Sequence, residues 1–184
     1  MDTLVANLRV ALAGRIDKLA WMSPATRAQA QAKLKGFTVK IGYPTKWKEY
    51  GGLVTKQDDL VGNVLRARAV NVERELRKVG QPVDKTEWGM TPQTVNAYYH
   101  PLLNEIAFPA AILQPPFFNA AGSDAGNFGG IGAVIGHEIT HGFDDEGRNY
   151  DAHGNLNSWW ISEDSAKFTA KAQRIVEQFN CYVV

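Results

Sequence analysis

The sequence predicts an α+β fold that is mostly α-helical. Three observations predict it: apolar residues recur at helical spacing through much of residues 1–80, two short aromatic and β-forming segments lie close together at 95–100 and 104–109, and an apolar, glycine-rich segment leads into a further helix near 131–141. With 184 residues and 45% hydrophobic content, the chain is long enough for one ordinary domain or two small ones and rich enough in apolar residues to build a core.

Taken in order, Leu4, Leu8, Ala11, Leu12, Ile16 and Leu19 mark a first helix. Ser23 as cap and Pro24 at the first helical position announce a second, which Gly36 ends. Phe37 to Tyr43 is short, β-branched and closed by Pro44, so it reads as a strand or extended connector. Leu60, Val64, Val72, Leu76 and Val79 lie close to one face of a third helix that Gly80 and Pro82 stop. The segments VNAYYH (95–100) and NEIAFP (104–109), separated by the turn-like PLL, read as two paired strands. Gln114-Pro115-Pro116 then breaks regular structure, and glycines 122, 126, 129, 130 and 132 lead into the helix that carries two histidines. Gly147 to Asn157 is rich in Gly, Asn and Asp and should be loop. A last helix is expected from Ser162 as cap toward Val176, with Phe168, Ala172, Ile175 and Val176 on its buried side. The composition changes near residues 80–90, dividing the chain into a helical segment, 1–85, and a mixed segment, 86–184.

Charge excludes some functions. Twenty Lys and Arg against nineteen Asp and Glu leave a formal charge of +1 with no long run of either sign, which argues against nucleic acid as a partner. Asp2, Arg9, Arg15 and Asp17 interrupt the apolar residues of the opening segment, which excludes both a signal-peptide core and a membrane span there. Cys181 is the only cysteine, so the redox compartment is not legible, and its aliphatic neighbours suggest a packed thiol.

The chemistry concentrates in His137-Glu138-Ile139-Thr140-His141. At about 100° per residue, the two histidines differ by about 40° in direction and lie roughly 6 Å apart along a helix, so both imidazoles can reach one ion. Zinc accepts imidazole nitrogen, and a catalytic site uses three protein ligands while leaving a position for water. Glu138 is placed to act as general base toward that water and to pass the proton on to a leaving amine. A chance pattern is the bland alternative. Against it, two of only four histidines have this spacing, Ile131, Val134 and Ile135 mark a helix buried on one side, and Gly132 and Gly136 would permit close approach of another backbone. Asp144 could accept the second ring proton of a ligating histidine, or could belong with Asp145 and Glu146 to a solvated acidic turn.

VNAYYHPLLNEIAFPAAILQPPFF followed by GNFGGIGAVIGHEITHGFDDEGRNYDAHGNLNSWW resembles the neprilysin and endothelin-converting-enzyme family of zinc metallopeptidases, which includes bacterial oligopeptidases. The resemblance is close from about Pro82 to Tyr182, and KIGYP and DDLVGNVLRARAVNVERELRKVG extend it upstream. It implies that residues 86–184 form the first part of a thermolysin-like (gluzincin) catalytic domain, and that residues 1–85 end the family's second, mostly helical domain. It also implies one zinc ion per complete site, peptide substrates whose main chain is bound by Asn96 and Ala97, and an extracytoplasmic setting. Without the resemblance, Asn96 reads as a strand-end residue satisfying local backbone.

The family's third ligand is a glutamate in an ExxxD pattern, and no ExxxD occurs in the chain. Glu163 lies at a thermolysin-like distance from the motif, yet the start of a helix explains an acidic residue there. A metzincin is excluded, because Asp144 and Gly147 stand where that class has Gly and His, and His153 falls in the Gly-Asn loop. The expectation is therefore a zinc metalloendopeptidase cut before its third ligand and inactive without the missing C-terminal segment. A non-catalytic module that binds peptides or a partner through the strand around Asn96 is the alternative.

Overall fold

In the computed structural model, residues 1–182 are described. They form six α-helices and a three-stranded sheet, mostly helical as expected: α1 (Asp2–Asp17), α2 (Pro24–Lys35), β1 (Thr38–Gly42), α3 (Leu60–Leu76), β2 (Tyr98–His100), β3 (Glu105–Pro109), α4 (Asp124–Gly129), α5 (Ile131–His141) and α6 (Ser162–Asn180). The chain divides into two compact units, residues 1–43 with 90–184, and residues 44–89.

The first unit is built around β3, every residue of which is buried. β1 pairs with it in parallel and β2 antiparallel, so β1 and β2 are the two edges. The connector after Gly36 is thus a true strand. Inside this sheet Lys40 on β1 meets Glu105 on β3 at 2.7 Å, both nearly inaccessible to solvent. Desolvating both charges offsets much of their attraction, so a buried pair of this kind adds little net stability.

α5 supplies the core with Ile131, Ile135 and Ile139, each at most 1% exposed. Full burial of such a side chain is worth roughly 1.5–3 kcal/mol. Spaced four apart, the three isoleucines form one stripe, and residues two positions away from them, His137 and His141, point to the opposite side of the helix. α2 buries Thr26, Ala30, Lys33 and Leu34. Ser23 caps it through Thr26, with Pro24 at the start as expected. The glycine-rich approach to α5 contains the short α4, capped by Ser123.

Several expectations are corrected. α6 begins with Ser162 inside the helix and Ile161 at the cap. Its one buried residue is Asp164, which accepts the backbone N–H of Ser23 at 2.9 Å; Phe168 and Ala172 are half-buried, and Ile175 and Val176 are exposed. Cys181 is exposed, not packed. The loop from Gly147 contains a 3-10 turn (Gly147–Asn149) and a bridge between Tyr150 and Leu156. A β-carbon on Gly136 would meet nothing and one on Gly132 only ordinary contacts, so these glycines do not serve close backbone approach.

The second unit, residues 44–89, carries α3. Asp59 caps it by accepting the N–H of Gly62 at 2.9 Å. The helix buries none of its residues, and Leu60, Val64, Val72 and Leu76 are exposed.

Candidate metal centre

The buried isoleucine stripe of α5 turns both histidines outward into a cleft of about 460 Å³. Residues 96–99, Pro101, Glu146, Gly147 and Tyr150 share its walls with His137, Glu138, His141 and Asp144. The Nε2 atoms of His137 and His141 lie 3.0 Å apart. Two imidazole nitrogens on one tetrahedral zinc, each about 2.0–2.1 Å from it, stand about 3.3 Å apart. The pair therefore fits a shared ion with almost no rearrangement.

His141 is oriented from behind. Its Nδ1 lies 2.7 Å from Asp144 Oδ2. The carboxylate can only accept, so Nδ1 carries the proton, which in the neutral ring leaves Nε2 as the nitrogen with a lone pair for a metal. Asp144 is in turn held by the backbone N–H groups of Gly147 at 2.7 Å and Glu146 at 3.1 Å on its other oxygen. Of the acidic turn, only Asp145 and Glu146 are exposed.

Glu138, between the two histidines in sequence, is buried. Burial raises its pKa, an effect opposed by the neighbouring His137 and His141 and by a hydrogen bond from the backbone N–H of Tyr99. A carboxylate lifted in this way is better matched to taking a proton from water near neutral pH. Tyr99 belongs to β2, so the edge strand and the histidine helix meet at Glu138.

Asn96 is exposed immediately before β2, and its Oδ1 accepts the N–H of Ala97 at 2.9 Å. It thus satisfies local backbone and lines the cleft at the same time. Ala97 is buried. The remaining candidates lie apart from this cluster: His153 is exposed in its loop, where its N–H meets Asp151, and Glu163 is exposed and paired with Lys167. Among the described residues no group of three His, Cys, Asp or Glu is arranged to hold a metal ion.

Sequence reasoning missed Lys33 and the cleft residues Tyr98, Tyr99 and Tyr150. The ammonium of Lys33 donates to the carbonyls of Gly147 and Tyr150, both at 2.6 Å, directly beneath the site. Its spacing was a usable signal: Thr26, Ala30, Lys33 and Leu34 share one helical stripe, but a lysine on such a stripe is ordinarily read as solvated.

Residues 1–44 and 96–184 each match a sequence profile of peptidase family M13. The chain is 39% identical to human neprilysin over 187 residues, 97% of this chain and 25% of that protein. It is 40% identical to an endothelin-converting enzyme homolog of Locusta migratoria over 100% of this chain and 26% of that one. Among solved structures, a zinc metalloprotease of Mycobacterium tuberculosis in complex with an inhibitor is 57% identical, with a TM-score of 0.96 over 100% of this chain and 28% of its own. The chain thus spans about a quarter of the length of the relatives it matches. Two matched stretches of one family, around a helix that presents paired histidines, lead to one conclusion: the chain belongs to peptidase family M13.

Proposed function

We propose that these residues are part of a zinc metalloendopeptidase that hydrolyses peptide bonds in oligopeptides, with His137 and His141 as two metal ligands and Glu138 as general base. The observation that carries the reading is the pair of Nε2 atoms 3.0 Å apart beside a buried carboxylate in an open cleft. Zinc held by these imidazoles supplies a Lewis acid that polarises a peptide carbonyl and acidifies water. Glu138 accepts the proton as the water oxygen bonds to the carbonyl carbon, then delivers it to the nitrogen as the C–N bond breaks. Asp144 keeps His141 in the ligating tautomer. The edge strand β2, with Asn96 and Ala97 just before it, lies beside an extended substrate main chain.

In this reading residues 86–184 supply the first part of a thermolysin-like catalytic domain and residues 1–85 the helical part before it. The third ligand comes from a segment of the same enzyme outside the 184 residues, so this chain alone is inactive. The resemblance to neprilysin favours an extracytoplasmic setting; among the described residues no helix is long and apolar enough to cross a membrane.

Glu138→Gln in a complete enzyme carrying this sequence tests the assignment. Turnover should fall by a factor of about 100 to 10,000, the usual worth of a general base, with zinc content unchanged. Near-normal turnover would remove Glu138 from the mechanism. The place of Asn96 and Ala97 in the cleft wall supports one second reading, a module that binds peptides without cleaving them. Peptide binding by the chain, measured together with hydrolysis in added zinc, separates the two.

A further inference from the structure

We infer that Lys33 is a positioning residue for the metal centre, acting through the Gly147–Tyr150 turn and Asp144 on His141, and through the ring of Tyr99 on the strand that holds Glu138. The inference rests on the metallopeptidase reading above. Lys33 lies on α2, far from the motif in sequence, and is 1% exposed. An ammonium is rarely removed from water without a specific partner, and here the partners are two backbone carbonyls and a ring of aromatics. Its Nζ donates to Gly147 O and Tyr150 O, both at 2.6 Å. It lies 5.7 Å from the ring centre of Tyr99 and 5.9 Å from those of Phe143 and Trp159.

What these contacts hold in place is the cradle of Asp144. The N–H of Gly147 donates to Asp144 Oδ1 while the carbonyl of the same residue accepts from Lys33. Residue 147 is therefore fixed from both sides, and the other oxygen of Asp144 faces His141 Nδ1. The Tyr150 carbonyl is shared between Lys33 and the indole N–H of Trp159 at 3.0 Å, which anchors the far end of the turn. Tyr99, beneath whose ring the ammonium sits, donates its backbone N–H to Glu138. One cation thus supports the orientation of a ligand and the placement of the base without touching either. Burial lowers its pKa to about 8, with Asp144 and Asp151 opposing the fall, so it is charged at neutral pH.

Imidazole 1H–15N NMR on the metal-free full chain reads the first effect directly, because it resolves which ring nitrogen carries the proton. In the unmutated chain His141 should be held as the Nδ1-protonated tautomer. In Lys33→Met it should populate both tautomers, and zinc affinity measured by calorimetry should fall about 10-fold, the low end of the 10–100-fold typical for residues that orient ligands. Lys33→Arg, which keeps a cation able to donate to both carbonyls, should restore most of the tautomer preference, a rescue that loss of generic packing would not give. Asp144→Asn separates the two levels of inference. If Asp144→Asn leaves the tautomer unchanged, the premise that Asp144 orients a ligand fails. If it disturbs the tautomer while a folded Lys33→Met does not, the role of Lys33 alone is overturned. Should Lys33→Met not fold, the Lys33 ammonium resonance of the unmutated chain decides: it should shift when zinc saturates the site, and a resonance that stays in place overturns the proposal.

Discussion

A β-carbon at residue 147 would stand 1.7 Å from the carbonyl oxygen of His141, so this position accepts only glycine. The turn folds back tightly against the end of α5, and that closeness lets the Gly147 N–H reach Asp144. Gly147→Ala should destabilise the first unit by about 1–3 kcal/mol, as overpacking does, and loosen the Asp144–His141 contact. Urea denaturation gives the first effect; unchanged stability would mean that the turn relaxes away from α5 at little cost. At this scale the sequence was most informative about the two histidines and Glu138, since spacing on a helix is a geometric statement that needs no tertiary context. Asp144 was legible as a candidate because it lies one turn beyond His141, but the choice between a held carboxylate and a solvated one depends on the turn that follows. Lys33 was not legible: its partners are carbonyls more than a hundred residues away, and carbonyls carry no side-chain signature.

Among the elements, β2 is the edge strand that lines the cleft, and its register against β3 sets Tyr99 opposite Ile106 and next to Glu138. Asn96→Ala in a complete enzyme should lower kcat/KM on several peptides without altering zinc stoichiometry, because Asn96 lies on the cleft wall and is not one of the proposed metal ligands. Unchanged kinetics would leave Asn96 with only its bond to the Ala97 N–H. α2 carries a pH signature. The pKa of Lys33 is lowered by burial to about 8 from its ordinary 10.5, so between these values the unfolded chain binds more protons than the folded one and stability rises with pH. The unmutated chain should therefore gain on Lys33→Met as pH rises from 8 toward 10.5, in paired denaturation midpoints; a constant difference would contradict a buried ammonium there. The paired strands at 98–109 and the helix capped by Ser23 were legible because turn and cap chemistry is local. The parallel pairing of β1 with β3 was not, since nothing local says which strand a seven-residue extended segment will join.

For the whole chain, hydrophobic periodicity found apolar faces without finding what covers them. Ile175 and Val176 on α6 and Leu60, Val72 and Leu76 on α3 have helical spacing yet stand exposed. Periodicity reports that a face is apolar; burial depends on neighbours that local pattern does not encode. The mostly helical α+β class was readable from element types alone. That residues 1–43 fold in the same compact unit as residues 90–184 was not, because it depends on the β1–β3 pairing and on α1 and α2 joining the core of α5. His137 and His141 are proposed to form a metal site that is incomplete among the described residues. Catalytic zinc usually has three protein ligands, so two imidazoles should hold the ion weakly and without turnover. Calorimetric titration of zinc into the purified 184-residue chain, run with a fluorogenic peptide assay, tests this most directly. Weak one-to-one uptake is expected, abolished in His137→Ala and in His141→Ala, retained in Glu163→Ala, and without peptide cleavage. Uptake that survives loss of either histidine, or a tight complex that cleaves peptide and requires Glu163, would overturn the two-histidine assignment.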